Sequence, residues 1–319
     1  MNENDEVGNA KVMILGATGM LGSMVTSVLG RAARIKLAAT IRDRKLHPFC
    51  ASTFPAVEWL DLDAATASVD ALAVMLEGVD WVVNCIGVIK PYIKDDDPAQ
   101  VERAIRVNGL FPHALGKAAD AIGAKVIQIA TDCVYSGLKG DYVEADAHDA
   151  FDVYGKTKSL GEANFDSLHH LRCSIIGPEW KCHRSLLDWF LGQPKGASLT
   201  GFVNHLWNGV TTYHYAKLCL GVIRNNIGLS RLQHVTAGGK VSKYDMLLSF
   251  QTAYDRADLQ ICGKPSSVAI DRTLATSDPS RNHALWQAAG YTAPPSVAEM
   301  IAEMSACRTP FEGELLCGS

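Results

Sequence analysis

Tyr154 and Lys158 stand four residues apart in Tyr154-Gly155-Lys156-Thr157-Lys158, a spacing that places both on one face of a helix. A phenol with a reference pKa of ~10 exchanges protons poorly near neutrality. Positive charge beside it favours the phenolate and makes the tyrosine a usable acid or base. About twenty residues upstream, Thr131-Asp132-Cys133-Val134-Tyr135-Ser136-Gly137 follows an apolar run. If that run is a strand, the Thr131 hydroxyl lies at the carboxyl edge of a sheet and can donate to a carbonyl oxygen alongside Tyr154. Tyr-x-x-x-Lys is common by chance, so the pair acquires meaning only from the elements that position it.

Those elements begin with Gly16-Ala17-Thr18-Gly19-Met20-Leu21-Gly22, which follows the first apolar run and opens a helix-like stretch. The turn is one residue longer than the GxGxxG dinucleotide fingerprint. Gly16, Gly19 and Gly22 let backbone approach a pyrophosphate, and a helix starting near Met20 and Leu21 supplies free N–H groups and positive potential. A nicotinamide dinucleotide is the implied ligand, and its oxidised ring would add to the positive charge beside Tyr154. The next strand-like run ends in Ala39-Thr40-Ile41-Arg42-Asp43-Arg44. An acidic residue there holds the ribose hydroxyl of NAD, whereas an arginine pairs with the 2′-phosphate of NADP. Arg42 favours NADP, taken up as NADPH, and Asp43 beside it keeps NAD open. Asp61-Leu62-Asp63 follows the third run and is placed to meet the adenine. Asn84-Cys85-Ile86-Gly87 follows the fourth and would pass its backbone under the cofactor.

Short apolar runs at 11–15, 35–41, 57–60, 81–84, 126–130 and 171–176 alternate with stretches long enough for crossover helices. The pattern predicts an α/β protein with a Rossmann-type, doubly wound parallel sheet and a smaller, partly interleaved C-terminal substrate lobe. The sheet domain is expected at 1–176 plus about 209–236, with the lobe from 177–208 and 237–319. Helices are expected at about 212–224, 243–256, 282–289 and 296–306, a further strand at 233–236, and irregular chain at 266–280. With 319 residues, 48% hydrophobic and 20% charged, the chain can bury a large core, which excludes disordered and low-complexity classes.

A net charge of −4 without a basic cluster excludes the footprint of a nucleic-acid binder. Nine cysteines, none closer than Cys173 and Cys182, form neither a metal motif nor a disulfide framework, so no metal site is expected. The start MNENDEVGNA is acidic and no apolar run reaches ~18 residues, so the expected compartment is cytoplasmic, without a membrane partner.

The ordered set GATGMLG, NCIG, Asn108 in IRVNGLF, TDCVYSG and YGKTKSLGE resembles the extended short-chain dehydrogenase/reductase family. Within it, the chain is most similar to the dTDP-4-dehydrorhamnose reductase branch. The likeness runs from about 11 to 178. Beyond that it thins to Trp207-Asn208-Gly209-Val210-Thr211-Thr212 and Asp271-Arg272-Thr273-Leu274. The resemblance implies Thr131, Tyr154 and Lys158 as the catalytic set, with Asn108 steadying the lysine's water network. It implies Gly16, Thr18, Gly19, Met20, Leu21, Gly22, Arg42, Asp61, Leu62, Cys85, Ile86, Gly87 and Ile176 around the cofactor, joined by Tyr154 and Lys158. For a nucleotide-sugar substrate it implies Val88, Lys90, Glu179, Asn204, Trp207 and Thr211. The implied reaction is NADP-dependent reduction of a 4-keto sugar for surface polysaccharide synthesis, and a homodimer is plausible from the paired helices.

The same family separates reactions by small changes. Its 4,6-dehydratases carry a glutamate where this chain has Cys133, which disfavours dehydration. Its GDP-L-fucose synthases, which are 3,5-epimerase/4-reductases, carry a cysteine two residues after the catalytic hydroxyl and a histidine five after a Gly-Pro. Cys133 and His183 match those spacings. A bifunctional enzyme, or an epimerase that keeps its cofactor, is therefore the alternative. From another class, the regulatory subunit of methionine adenosyltransferase resembles the same branch, and the intact Thr/Tyr/Lys set argues against that reading.

Overall fold

The computed structural model describes residues 9–181 and 183–307; the acidic start at 1–8, Cys182 and residues 308–319 lie outside the described residues. The first six strands are β1 (Ala10–Leu15), β2 (Ile35–Ile41), β3 (Glu58–Asp61), β4 (Trp81–Asn84), β5 (Lys125–Ala130) and β6 (Leu168–Arg172). Short strands β7 (Ile175–Ile176), β8 (Ser198–Phe202), β9 (His205–Trp207) and β10 (Val210–Thr211) precede β11 (Leu232–His234). β12 (Val241–Ser242), β13 (Gln260–Lys264) and β14 (Ile270–Asp271) follow. Seven strands form one parallel sheet in the order β11-β6-β5-β4-β1-β2-β3. This is the doubly wound Rossmann arrangement. Its order reverses between β1 and β4, and a crevice opens there at the carboxyl ends of the strands.

Helices α1 (Met20–Leu29), α2 (His47–Thr53), α3 (Val69–Met75), α4 (Pro98–Ala104), α5 (Phe111–Ile122) and α6 (Val153–Leu160) lie along the first six strands. The two-residue period of β1 builds a core on each face. Val12 and Ile14 pack with Leu21, Met24 and Val25 of α1, while Met13 and Leu15 pack with Leu72 and Leu115. Each such aliphatic side chain taken fully from water contributes roughly 1.5–3 kcal/mol. After α7 (Leu186–Leu191), helix α8 (Thr212–Arg224) returns to lie against α1. The remaining helices are α9 (Lys243–Ala253), α10 (Pro279–Ala288) and α11 (Val297–Ala306).

The structure corrects two expectations. The sixth strand, expected at 171–176, runs from Leu168 to Arg172; the chain then leaves the sheet and pairs Ile175–Ile176 with Val210–Thr211. Leu168-His169-His170-Leu171-Arg172 reads as too polar for a central strand, yet His170 and Arg172 are buried and hydrogen-bonded. His170 Nε2 meets the Ala163 carbonyl at 2.9 Å. Residues 198–207 and 260–271, which lack an obvious rhythm, also hold strands: β8 pairs with β13, and β9 with β12 and β14. In β8 the inward positions are Leu199 and Gly201. A Cβ on Gly201 would stand 2.5 Å from the Tyr244 Cα, so glycine serves here as a buried residue and hides the alternation.

Candidate active site

The glycine-rich turn leaves β1 at the reversal point. Gly16 has φ +80°, and a Cβ there would lie 2.7 Å from Ile86 Cγ1 in the turn after β4. A Cβ on Gly22 would meet the Gly16 carbonyl oxygen at 2.1 Å, so helix and turn pack with no room for a side chain. Thr40, buried at the end of β2, accepts from Gly16 N through its hydroxyl at 3.0 Å and from Ala17 N through its carbonyl. Gly19 is the N-cap of α1 and brings no side-chain cap to the first-turn N–H groups of Met20 and Leu21. Backbone donors on a close-packed glycine cradle fit a dinucleotide pyrophosphate.

The remaining cofactor positions line the same edge. Arg42 is exposed just past β2. Asp61 meets Arg44 at 2.8 Å on the rim, and Leu62 N donates to Ile41 O. The turn after β4 is pinned by Asn84, whose side chain donates to Gln128 Oε1 at 2.6 Å and accepts from Ile86 N at 3.0 Å. Beside it, burial pushes the Cys85 thiol up. Gly87 leaves 3.6 Å between a Cβ and Asn108 Oδ1. Ile176 sits buried in β7.

Asn108 lies on a π-helical turn, Ile105–Leu110, that rotates its side chain inward. Its amide accepts from Val88 N at 2.8 Å, donates to Val88 O at 2.9 Å and reaches the Thr157 hydroxyl at 3.3 Å. It therefore ties the β4 turn to α6. At the start of α6, Asp152 is the N-cap, accepting from Gly155 N at 2.8 Å and pairing with Lys90 Nζ at 2.5 Å. One helical turn brings Tyr154 and Lys158 inward together.

The Thr131 hydroxyl, 8% exposed at the end of β5, draws the Tyr154 phenol down against burial. Burial pushes the phenol above its ordinary range, and the Asp132 and Asp152 carboxylates add to that. Lys158 Nζ donates to the Ile129 carbonyl at 2.9 Å, and burial lowers its ammonium to about 8 against the pull of Glu162. The lowered phenol expected from the sequence is thus not the resting arrangement: desolvation outweighs attraction. A phenol that keeps its proton is the form that can donate one.

Cys133 follows on the same turn, its N–H donating to Thr131 Oγ1 at 3.1 Å. Burial, reinforced by Asp132, pushes its thiol up to about 12. His183 adopts φ +45° on the loop after β7, with Nδ1 3.7 Å from Asp188 Oδ1. Glu179, on the same loop, accepts from Arg184 N at 2.6 Å, and burial raises its carboxyl.

A cleft of about 580 Å³ opens beyond this loop, walled by Arg184, Trp189, Phe202, His205 and Lys243. None of the six substrate positions implied by the sequence lines this cleft. Thr211 is fully buried and caps α8 through His214 N, and Asn204 holds the backbone of Ser266 from both ends of its amide. Trp207 is buried beneath the Lys243 ammonium, 5.6 Å from its ring centroid. Val88 is held by Asn108, and Lys90 by Asp152.

Sequence reasoning missed three charged groups. Lys243, at the start of α9, lines the cleft, and burial lowers its ammonium against the pull of Asp132. Arg272 acts on Asp132 and Cys133 and donates to Tyr135 O at 2.9 Å. Behind Lys158, fully buried Arg172 meets Glu162 at 2.5 Å, Tyr135 Oη at 2.5 Å, and His234 and His148 at 2.8 Å each. Glu162 closes the YGKTKSLGE motif one turn after Lys158, which was the available signal. Among the described residues no group of three or more His, Cys, Asp or Glu could hold a metal ion. None of their helices is long and apolar enough to cross a membrane.

A seven-stranded Rossmann sheet with a glycine-rich first turn and a Tyr/Lys pair on α6 defines an extended short-chain dehydrogenase/reductase. The chain belongs to the dTDP-4-dehydrorhamnose reductase-like branch of that family: the model described as RmlD substrate binding domain matches residues 10–180. A dTDP-4-dehydrorhamnose reductase of Streptomyces griseus is 32% identical over 151 residues, 47% of this chain and 43% of that protein. Methionine adenosyltransferase 2 subunit beta of Xenopus tropicalis is 23% identical over 259 residues, 77% of this chain and 72% of that one. In structure, dTDP-4-dehydrorhamnose reductase from Bacillus anthracis, solved in complex with NADP, superposes with a TM-score of 0.69 at 15% identity, covering 93% of this chain and 98% of that chain.

Proposed function

We propose that the protein reduces the C4 keto group of a nucleotide-activated deoxysugar with NADPH, in the synthesis of a sugar for a surface polysaccharide. The observation that supports this reading is the set of Thr131 at the end of β5, Tyr154 within its influence on α6 and buried Lys158 held on the Ile129 carbonyl, together with a cleft walled by Arg184 and Lys243. The cofactor would supply the hydride. Tyr154, holding its proton, would donate it to the carbonyl oxygen while Thr131 polarises that oxygen from the other side. Lys158 would carry the positive charge that eases proton loss from the phenol. Arg184 and Lys243 suit a diphosphate, and the Trp189 and Phe202 rings suit a base.

The test is cofactor oxidation with dTDP-4-dehydrorhamnose, comparing the parent with Tyr154→Phe. Loss of ~10²–10⁴-fold in turnover with cofactor affinity kept is expected. An unchanged rate would refute the assignment.

A second reading, a binding subunit without turnover, is favoured by one observation: in sequence, the likeness to the adenosyltransferase subunit of Xenopus tropicalis runs over 77% of the chain against 47% for the reductase of Streptomyces griseus. A parent protein that binds NADPH yet reduces no 4-keto nucleotide sugar would support it.

A further inference from the structure

We propose that Lys181 is a phosphate ligand of the dinucleotide, brought into the cofactor groove by the same loop that shapes the substrate cleft; this rests on the nicotinamide reading above. After β7, the loop crosses from the catalytic end of the sheet to the first βαβ unit. Trp180, 5% exposed, stacks on Phe49 of α2 with ring centroids 5.0 Å apart and planes 22° from parallel. That stack anchors the next residue. Lys181 Nζ donates to Thr18 Oγ1 at 3.0 Å, inside the glycine-rich turn, and lies 5.4 Å from the Trp180 ring centroid. Its charge is felt at Cys50 of α2, where it opposes the effect of burial on the thiol.

The ammonium therefore stands between the β1 turn and α2. In a Rossmann crevice this is the side on which the adenosine ribose and its phosphates lie. Thr18 can accept from Lys181 and still turn its own hydrogen toward a phosphate oxygen. The uncapped first turn of α1 begins two residues later. A cation, a hydroxyl and backbone N–H groups thus converge from two lobes, whereas Arg42 approaches from the exposed rim alone.

The other end of the loop faces the substrate cleft. Arg184 lines it, stacks its guanidinium 4.8 Å from the Tyr92 ring centroid, and donates its backbone N–H back to Glu179. A phosphate held by Lys181 would fix this short loop, and with it the guanidinium that greets the second ligand.

Calorimetric titration of NADPH and NADH into the parent, Lys181→Met and Lys181→Arg tests the assignment. Lys181→Met removes one charge-assisted hydrogen bond to phosphate and should weaken binding by about tenfold to a hundredfold, and Lys181→Arg should restore most of it. Weakening of NADPH alone identifies the 2′-phosphate as the partner, and equal weakening of both identifies the pyrophosphate. Parent-like binding of both dinucleotides by Lys181→Met overturns the proposal. So does an equal loss in both variants accompanied by a lowered Tm, which would mark Lys181 as loop packing. A parent that binds neither dinucleotide defeats the nicotinamide reading itself, and the Lys181 assignment with it.

Discussion

Replacing Lys158 with methionine separates the energetic cost of the catalytic lysine from its chemical use. The ammonium is buried, and its pKa falls from 10.5 to about 8, which corresponds to roughly 3 kcal/mol of penalty on the charged form. Between those values the unfolded chain holds the proton and the folded chain releases it, so this group makes the parent more stable as pH rises through the window. Methionine removes the penalty and takes away one of two side-chain donors to the Ile129 carbonyl, which keeps Gln128 Nε2 at 3.1 Å, at a cost of ~0.5–1.5 kcal/mol. At pH 7 the variant should exceed the parent by about 1.5–2.5 kcal/mol, while losing turnover. Above about pH 10.5 the relief is gone and the one lost hydrogen bond leaves the variant the weaker protein by about 1 kcal/mol. Urea unfolding of both proteins without cofactor, at a series of pH values, measures the difference directly. A difference that stays flat from neutral to alkaline pH would refute the account, because it would mean that Lys158 bears no burial penalty.

Three further outcomes follow from the site. Arg42→Ala should weaken NADPH by about ten- to a hundredfold and NADH far less, read by titration, since only the former carries a 2′-phosphate; equal weakening would make Arg42 structural. Arg172→Met leaves the largely enclosed Glu162 without its paired guanidinium, with only Lys158 as a remaining cation, and should lower the unfolding free energy by about 3 kcal/mol, read from denaturant midpoints; a loss below ~1 kcal/mol would show that the network is dispensable. A thiol held at about 12 is protonated near neutrality, so the parent should place no solvent deuterium at C3 or C5 of a 4-keto nucleotide sugar in the absence of NADPH. Exchange that disappears in Cys133→Ser would instead establish the epimerase chemistry that the Cys133 and His183 spacings suggest.

The sheet was legible because its strands are apolar on both faces. Val12 to Leu15, Trp81 to Asn84 and Val126 to Ala130 read as continuous runs, and the chain alternates them with helices. The catalytic hydroxyls and the lysine were legible for a different reason: their partners are close in sequence, so one helical turn and one strand end suffice to place them. The substrate wall was not. Arg184 on a loop, Phe202 on β8 and Lys243 on α9 meet across some sixty residues, and the strand that pairs with β8 lies equally far away. No local period records such a meeting. Glycine at an inward position of β8, and histidine and arginine at inward positions of β6, broke the only rhythm available.

Those polar residues of β6 also explain how the site is held. Thr131 and Lys158 approach each other over β5, and next to β5 lies the strand that carries Arg172. A guanidinium there with a hydrophobic surround would be costly, and the structure surrounds it with Glu162, Tyr135, His148 and His234. Glu162 faces two cations at once: it pairs with Arg172, and its negative charge opposes the discharge of Lys158 that burial favours. Glu162→Gln would therefore act at a distance from any substrate. It should lower the Lys158 pKa further and shift the alkaline limb of the pH–rate profile downward, without touching the phenol. A profile that keeps its alkaline limb while turnover falls would assign Glu162 to folding alone.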